Sequence, residues 1–319
     1  MKKTEIIVLS LLLLSALIIA FAGTAAGCTK EDFDKAVFGE TGKRVVYIGP
    51  EGNVDPPTAP IKRDGNTYTL TDNIYSPIVI DKDSIILDGA GYTLEGPYNG
   101  TRTDLPMDEL DQVPSNETRI PWTVGIDMAK GIRRDITIKN LNIKNFSIGI
   151  WLWASNNIIT GNAITENILG ILLSAPDNIV TGNYIANNED GIFFGANEPG
   201  NVPTNVSLSG NSFLKNFRQL SGCVCEEYNE TEDLHMWDNG NEGNFWSDYN
   251  GIDADKNGIG DTPYVIDVLN KDRYPLMENI AVLPTGAPQA PLEIIIVAVV
   301  LSVIVVVAFL GRKRKTPQT

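Results

Sequence analysis

The chain has 319 residues, 40 of them acidic and 25 basic, for a formal net charge of −15. Several of the basic residues lie at the two ends (Lys2, Lys3 and Arg312 to Lys315), so the body between is more acidic still. Such a surface repels polyphosphate, which excludes nucleic acid as a partner, and it disfavours an acidic polysaccharide unless bound cations bridge the two.

Residues 1–27 carry Lys2 and Lys3, an apolar run over residues 6–22 and then small residues, the layout of a secretory signal peptide. Ala25, Ala26, Gly27 and Cys28 resemble a lipoprotein cleavage box, in which Cys28 would be lipidated. Residues 28–236 are expected to form one elongated body. Short β-branched runs at Val45 to Ile48, Tyr68 to Leu70, Ile78 to Ile80 and Ile85 to Asp88 read as its first, less regular coils. Residues 96–123 are polar, contain several prolines and show no strand pattern; they read as a loop thrown out from one corner. Gly125-Ile126-Asp127-Met128 then anticipates Gly149-Ile150-Trp151-Leu152 by 24 residues and restores the register.

From residue 135 to 196 the sequence repeats with a period of 21 residues. Ile138/Ile159/Val180, Ile143/Ile164/Ile185, Gly149/Gly170/Gly191, Ile150/Ile171/Ile192 and Leu152/Leu173/Phe194 form five columns of like residues. A period of this length marks stacked repeats, and apolar runs too short for a helical stripe, interrupted by Asn, Gly and Ser, make each repeat a coil of short strands. Stacked at ~4.8 Å, such coils give parallel ladders: an all-β, right-handed parallel β-helix of 21-residue coils. Two columns change character, Leu141 to Asn162 and Asn183, and Phe146 to Asn167 and Asn188. Asn at an inward turn can bond the Asn one coil on, or can serve only as a residue that tolerates positive φ. An insertion at 197–203 lengthens one repeat, so that Leu208, Phe213 and Asn216 fall 28 residues after Val180, Ile185 and Asn188. Roughly seven to eight coils result, a rod of ~35–40 Å.

Five sequons, Asn99, Asn116, Asn145, Asn205 and Asn229, are candidate glycan sites on an exported chain, those at 99, 116 and 229 lying in expected loops. Cys223, Cys225, His235 and Met236 form a soft-ligand cluster of the kind that suits Cu(I). An inert role or a disulfide drawing on Cys28, Cys223 and Cys225 competes with copper, because exported thiols oxidise. Residues 237–280 are rich in aromatics and read as a C-terminal cap over the last coil, with Trp237, Phe245, Trp246, Tyr249 and Tyr264 as the cover. Within it Asp253, Asp255, Asn257 and Asp261, with Gly258 at the turn, offer oxygen ligands at alternate positions for a structural calcium ion; Asp248 or Asp267 would complete the shell. The twelfth position is Tyr264, so the loop is not a full EF-hand. Residues 281–291 form a Pro-containing linker, 292–311 a transmembrane helix, and 312–319 a short cytoplasmic tail whose basic cluster stops transfer and leaves the body outside.

The repeats at 157–175 and 178–196 resemble the right-handed parallel β-helix of NosD-type proteins, especially the exported, membrane-anchored versions common on archaeal cell surfaces. So does the closing segment, Trp237-Asp238, Gly243 to Tyr249, Asp253 to Asp261, Thr262-Pro263-Tyr264 and Asp272 to Met277. That resemblance implies a copper-handling accessory role, since bacterial members are implicated in copper delivery to nitrous-oxide reductase; the wider fold group includes polysaccharide lyases and hydrolases. Acid–base chemistry on such a fold needs paired carboxylates with Arg or Lys on one face. Asp135, Asp177 and Asp190 recur near coil corners without a basic residue at the matching position of the next coil and read as solvated turn residues. The leading expectation is therefore a non-enzymatic, cell-surface binding or scaffolding protein directed at carbohydrate or envelope partners, with copper handling and a lyase or hydrolase as alternatives.

Overall fold

In a computed structural model the described residues are 45–97, 123–128, 133–195, 203–222, 235–279 and 284. The expected signal peptide, transmembrane helix and tail lie outside them, as does the linker apart from Pro284. Among these residues every regular element is a β-strand. Apart from Tyr264–Val265 and Lys271–Asp272, which pair antiparallel with each other, the strands fall on three faces, visited in the same order by successive turns of the chain. One repeat runs through Thr137–Lys139 on the second face, Asn142–Lys144 on the third and Ile148–Leu152 on the first. The next runs through Ile158–Thr160, Ala163–Thr165 and Leu169–Leu173. Pairing between successive turns is parallel and in the register the period demands: Ile138, Ile159 and Val180 are partners on one face, Ile143, Ile164 and Ile185 on another, and Ile150, Ile171 and Ile192 on the first. The longer repeat also pairs as read, Val180 with Leu208 and Ile185 with Phe213. Gly125-Ile126 re-enters as expected, Ile126 pairing with Ile150 and with Ile78 of the earlier coil.

The apolar columns fill the inside. Ile138, Ile143, Ile150, Ile159, Ile164, Ile171, Val180, Ile185 and Ile192 are wholly buried and belong to one continuous core that runs from Val46 to Trp246. Strand alternation puts every second side chain on this core, and each turn rests on its neighbours rather than on a separate centre.

Corners follow one rule. A residue in the left-handed region turns the chain, and the residue after it points inward. Asp135, Asn156, Asp177 and Asn205 do this before the second face, Asn140, Gly161, Gly182 and Gly210 before the third, and Asn145, Glu166, Asn187 and Lys215 before the first, with φ between 51° and 67° throughout, and Gly, Asn and Asp provide ten of these twelve turns. The inward residue begins as Ile136, Leu141 or Phe146 and becomes Asn in later coils. There the ladder is formed. Asn162 donates both its backbone N–H and its Nδ2 to Asn183 Oδ1 at 3.0 Å, Asn183 does the same to Asn211 and Asn211 to Asn244. Asn167, Asn188 and Asn216 repeat the pattern. A third, shorter column, Asn157 and Asn178, was not among the two expected; its backbone N–H of Asn157 donates to Asn178 Oδ1 at 2.9 Å. These amides are almost completely buried, and every one is paired.

The N-terminal end departs from a plain run of coils. Val54–Asp55 lies antiparallel on Val46–Ile48, and Ile61–Asp64 antiparallel on Thr67–Leu70, so two of the three ladders begin with a reversed strand. A reversed edge strand ends a parallel stack without leaving its first ladder open. At the other end Met236 bridges Ser207, Phe245–Trp246 pairs with Ser212 and Phe213, and Leu276 bridges Phe245. Phe213, Trp246 and Tyr264 form a continuous stack with centroids 4.4 and 4.3 Å apart and planes within 7° of parallel.

Candidate functional site

Beside Arg218–Gly222, the last strand of the first face among the described residues, the surface opens into a groove of about 430 Å³. One wall is Asn216 to Leu220; the other is Ser247, Asp248 and Tyr264 to Ile266. The corner rule positions the first wall: Lys215 turns the chain, Asn216 goes inward as the last amide of its ladder, and Phe217 is thrown outward, 79% exposed. The aromatic stack positions the second, because Tyr264 lies flat on Trp246 while its hydroxyl donates to Asp248 Oδ2 at 3.1 Å. Gln219 links the walls: its Oε1 accepts from Asn216 Nδ2 at 2.9 Å and its Nε2 donates to Ser247 Oγ at 3.0 Å.

Asp190 sits under this groove and overturns one reading of the sequence. It is 2% exposed, not solvated, and the next coil does supply its base: Arg218 is its register partner. Arg218 donates Nε and NH2 to the two carboxylate oxygens, the second at 2.9 Å, and Glu189 lies 3.6 Å from the same guanidinium. The insertion before this coil moved the matching position from 21 to 28 residues on, where residue 218 is found. The hydrogen bond to Asp190 raises the Arg218 guanidinium above its ordinary value, so the guanidinium stays charged. With both carboxylate oxygens bound to one guanidinium, Asp190 is placed to hold Arg218, not to move protons. Asp135 and Asp177 are exposed corner residues, as read.

In the acidic loop, Asp253 Oδ1 and Oδ2 accept from the backbone N–H of Asn257 and Gly258 at 3.1 and 2.8 Å. Asp255 Oδ2 accepts from Asn257 Nδ2 at 3.0 Å, and Asp261 Oδ2 from Ala254 N–H at 2.9 Å. The carboxylates are thus drawn to the loop's own donors, and among the described residues no three of His, Cys, Asp and Glu gather where they could hold a metal ion. Burial raises and the backbone donors lower the Asp253 carboxyl, with a net fall below the usual value. Asp248 accepts from Tyr264, while Asp267 accepts from Leu269 N–H and Asn270 N–H at 2.8 and 2.7 Å.

Of the soft-ligand cluster, Cys223 and Cys225 lie outside the described residues, as does Cys28. His235 and Met236 part company: the imidazole is 9% exposed and packs on Phe194 at 4.9 Å, whereas Met236 is 50% exposed. His235 follows Val206 in the inward corner column, and its Nδ1 accepts from Val206 N–H at 3.4 Å as an Asn Oδ1 does elsewhere. Desolvation pushes it down to about 4, against which Asp267 pulls upward. Two sequons are seen. Asn205 is an exposed corner whose Nδ2 donates to Asp177 Oδ1 at 2.6 Å, and Asn145 is a half-buried corner whose Nδ2 donates to Glu95 Oε1 at 3.0 Å. Asn99, Asn116 and Asn229 lie outside the described residues.

Sequence reasoning missed the groove. Its signal was present at Gln219, which stands where Gly125, Gly149, Gly170 and Gly191 stand in earlier coils, and at Phe217, an aromatic placed just after an inward Asn. Residues 116–254 match the family model of a right handed beta helix region. That match and the parallel ladders agree on a β-helix fold. No curated protein and no solved structure matches the chain.

Proposed function

We propose that the protein is a membrane-anchored binding or scaffolding protein of the cell surface, non-enzymatic, which takes a carbohydrate or an envelope partner in the groove beside Arg218–Gly222. The observation that carries this reading is the groove's lining. An exposed aromatic ring, Phe217, lies beside a guanidinium fixed by Asp190, with Gln219, Ser247, Asp248 and Tyr264 around them. A few fixed polar groups around an apolar platform suit a ligand with one apolar face and a hydroxyl rim, as a sugar ring has. The acidic surface favours a neutral or cationic target over an acidic one. Residues 1–27 would export the chain and 292–311 would hold it in the membrane. Pro284 O accepts from Asn142 Nδ2 at 3.3 Å, so at that residue the chain lies against the side of the rod, several coils back from the groove. Within this reading the likeness to NosD-type surface proteins supplies the architecture, the aromatic segment at 237–280 closes the end of the stack, and the acidic loop serves that segment.

The test uses full-length protein in mild detergent, with neutral oligosaccharides and solubilised envelope proteins offered in parallel. Phe217→Ala and Asp248→Asn change exposed groups only and should each weaken capture of the true ligand by tenfold or more. Capture unchanged in both variants would remove the groove from the function.

A further inference from the structure

At the C-terminal end of the rod the second and third faces continue past their regular strands, through Met236, Phe245–Trp246 and Leu276. The first face does not continue among the described residues. Arg218–Gly222 is its last strand among them, and the groove occupies the place where the next would lie. An unpaired edge strand is a template for another strand, and Phe217 and Val265, 79% and 60% exposed, would add apolar contact to such pairing.

The glycine column states what a following strand requires. A Cβ on Gly125 would lie 2.5 Å from Gly149 O, one on Gly149 2.5 Å from Gly170 O, one on Gly170 2.5 Å from Gly191 O, and one on Gly191 2.5 Å from Gln219 O. Each member must therefore be glycine if another strand is to lie on it, because the blocking atom is backbone and does not move aside. Gln219 is the fifth member and is not glycine. We propose that Gln219 ends the first face by steric exclusion, guarding the edge of Arg218–Gly222 against strand addition by a second copy of this chain. Its Cβ stands where the carbonyl oxygen of a following strand would go. Its amide, held by Asn216 and Ser247, lies along the same edge. A strand approaching in either direction meets that side chain first, and the groove stays open. This deepens the reading of the groove as a binding site, and its test needs no ligand.

Full-length wild type, Gln219→Gly and Gln219→Ala are compared in mild detergent by light scattering over a hundredfold concentration range, with hydrogen exchange of residues 218–222. Gln219→Gly should assemble into dimers or larger species, with at least tenfold slower exchange at those amides in the assembled fraction. Gln219→Ala loses the same two hydrogen bonds but keeps the Cβ, and should match wild type in size and exchange. Assembly of Gln219→Ala as far as Gln219→Gly, or Gln219→Gly that stays at wild-type size, overturns the proposal. Should Gln219→Gly fail to fold, wild type decides: its edge amides must exchange as an unpaired strand at the highest concentration, and their protection there would equally overturn it. Loss of ligand capture with normal assembly behaviour would instead count against the groove's function alone.

Discussion

Replacing His235 with Asn should remove most of the protein's sensitivity to mild acid. His235 occupies an inward corner position filled by Asn157 and Asn178 in earlier coils, and its ring is buried between Phe194 and Trp237 with centroids 4.9 and 5.8 Å away. Burial lowers its folded-state value to about 4, below the ordinary 6.5. Above the ordinary value both states are neutral and nothing is at stake. As pH falls below it the unfolded chain takes up a proton that the folded chain refuses, so stability is lost progressively until the folded value is reached. At pH 5 the loss is about 2 kcal/mol by this linkage. In a body of this size that corresponds to about 4–8 °C in melting temperature. Asn at 235 can accept from Val206 N–H as Asn157 Oδ1 accepts from Ile136 N–H at 3.0 Å, and it does not titrate. The smaller side chain lowers stability at pH 7 through lost ring contact, so the slope between pH 7 and 5 is the readout, followed by circular dichroism. Asp272 works in the opposite sense: burial raises its carboxyl above the usual value, so its contribution is fully present below that usual value and fades as pH rises through the raised one. The variant's slope should therefore flatten or reverse. An acid loss as steep as wild type would refute the assignment.

Asn183→Ala leaves the Asn162 backbone N–H and Nδ2 without their acceptor, two buried donors at 3.0 Å, and should cost about 2–5 kcal/mol in chemical denaturation. Ile164→Asp puts an unpaired charge among wholly buried residues and should prevent folding of the coils on both sides; a wild-type melt would show that the facing is misassigned. Calcium at ten times its dissociation constant would add about 1.4 kcal/mol, so it should raise the wild-type melting temperature slightly and leave Asp255→Ala unmoved; an equal response in both discards the site. Protease added to intact cells should remove the body and leave only the anchor and tail, and a protected body would reverse the membrane reading.

The period made the repeating part legible because it acts on side chains that face one another across every coil. Ile138, Ile159 and Val180 could be placed in one ladder without coordinates, as could the resumption of register at Leu208 and Phe213. What the period could not show is where a column changes partner. Asp190 looked solvated because its base lies 28 residues on, beyond the insertion, rather than 21. The reversed strands at Val54–Asp55 and Ile61–Asp64 carry no repeat signal, since an antiparallel edge strand answers to one neighbour only. The groove was invisible for a related reason: it is made by two segments that each end a pattern, and only the chain's return through Tyr264 to Ile266 brings them together.

The ends of the amide columns obey a logic that the repeat alone does not supply. Within a column each Asn accepts through Oδ1 from the coil before and donates through Nδ2 to the coil after, so a column that simply stopped would leave a buried donor pointing at nothing. The last member must accept and need not pass a proton on. One column ends at Asp272, whose Oδ2 receives Asn244 N–H at 2.6 Å and Trp246 Nε1 at 2.9 Å and which has no donor to place. Another ends at Gln219, whose Oε1 receives Asn216 and whose longer side chain carries its own donor outward to Ser247. The third passes through His235, which receives Val206 N–H through Nδ1 and donates its own backbone N–H to Asn270 Oδ1 at 3.1 Å, so this column closes on an Asn. Asp272 and Gln219 each differ from Asn in the one property the stack requires at its end, and each brings a property of its own: a buried carboxyl and a side chain laid across a strand edge. The blocked edge is thus a consequence of how the solenoid is brought to a stop, since in these two columns satisfying the last buried donor calls for a residue that the repeat itself does not use.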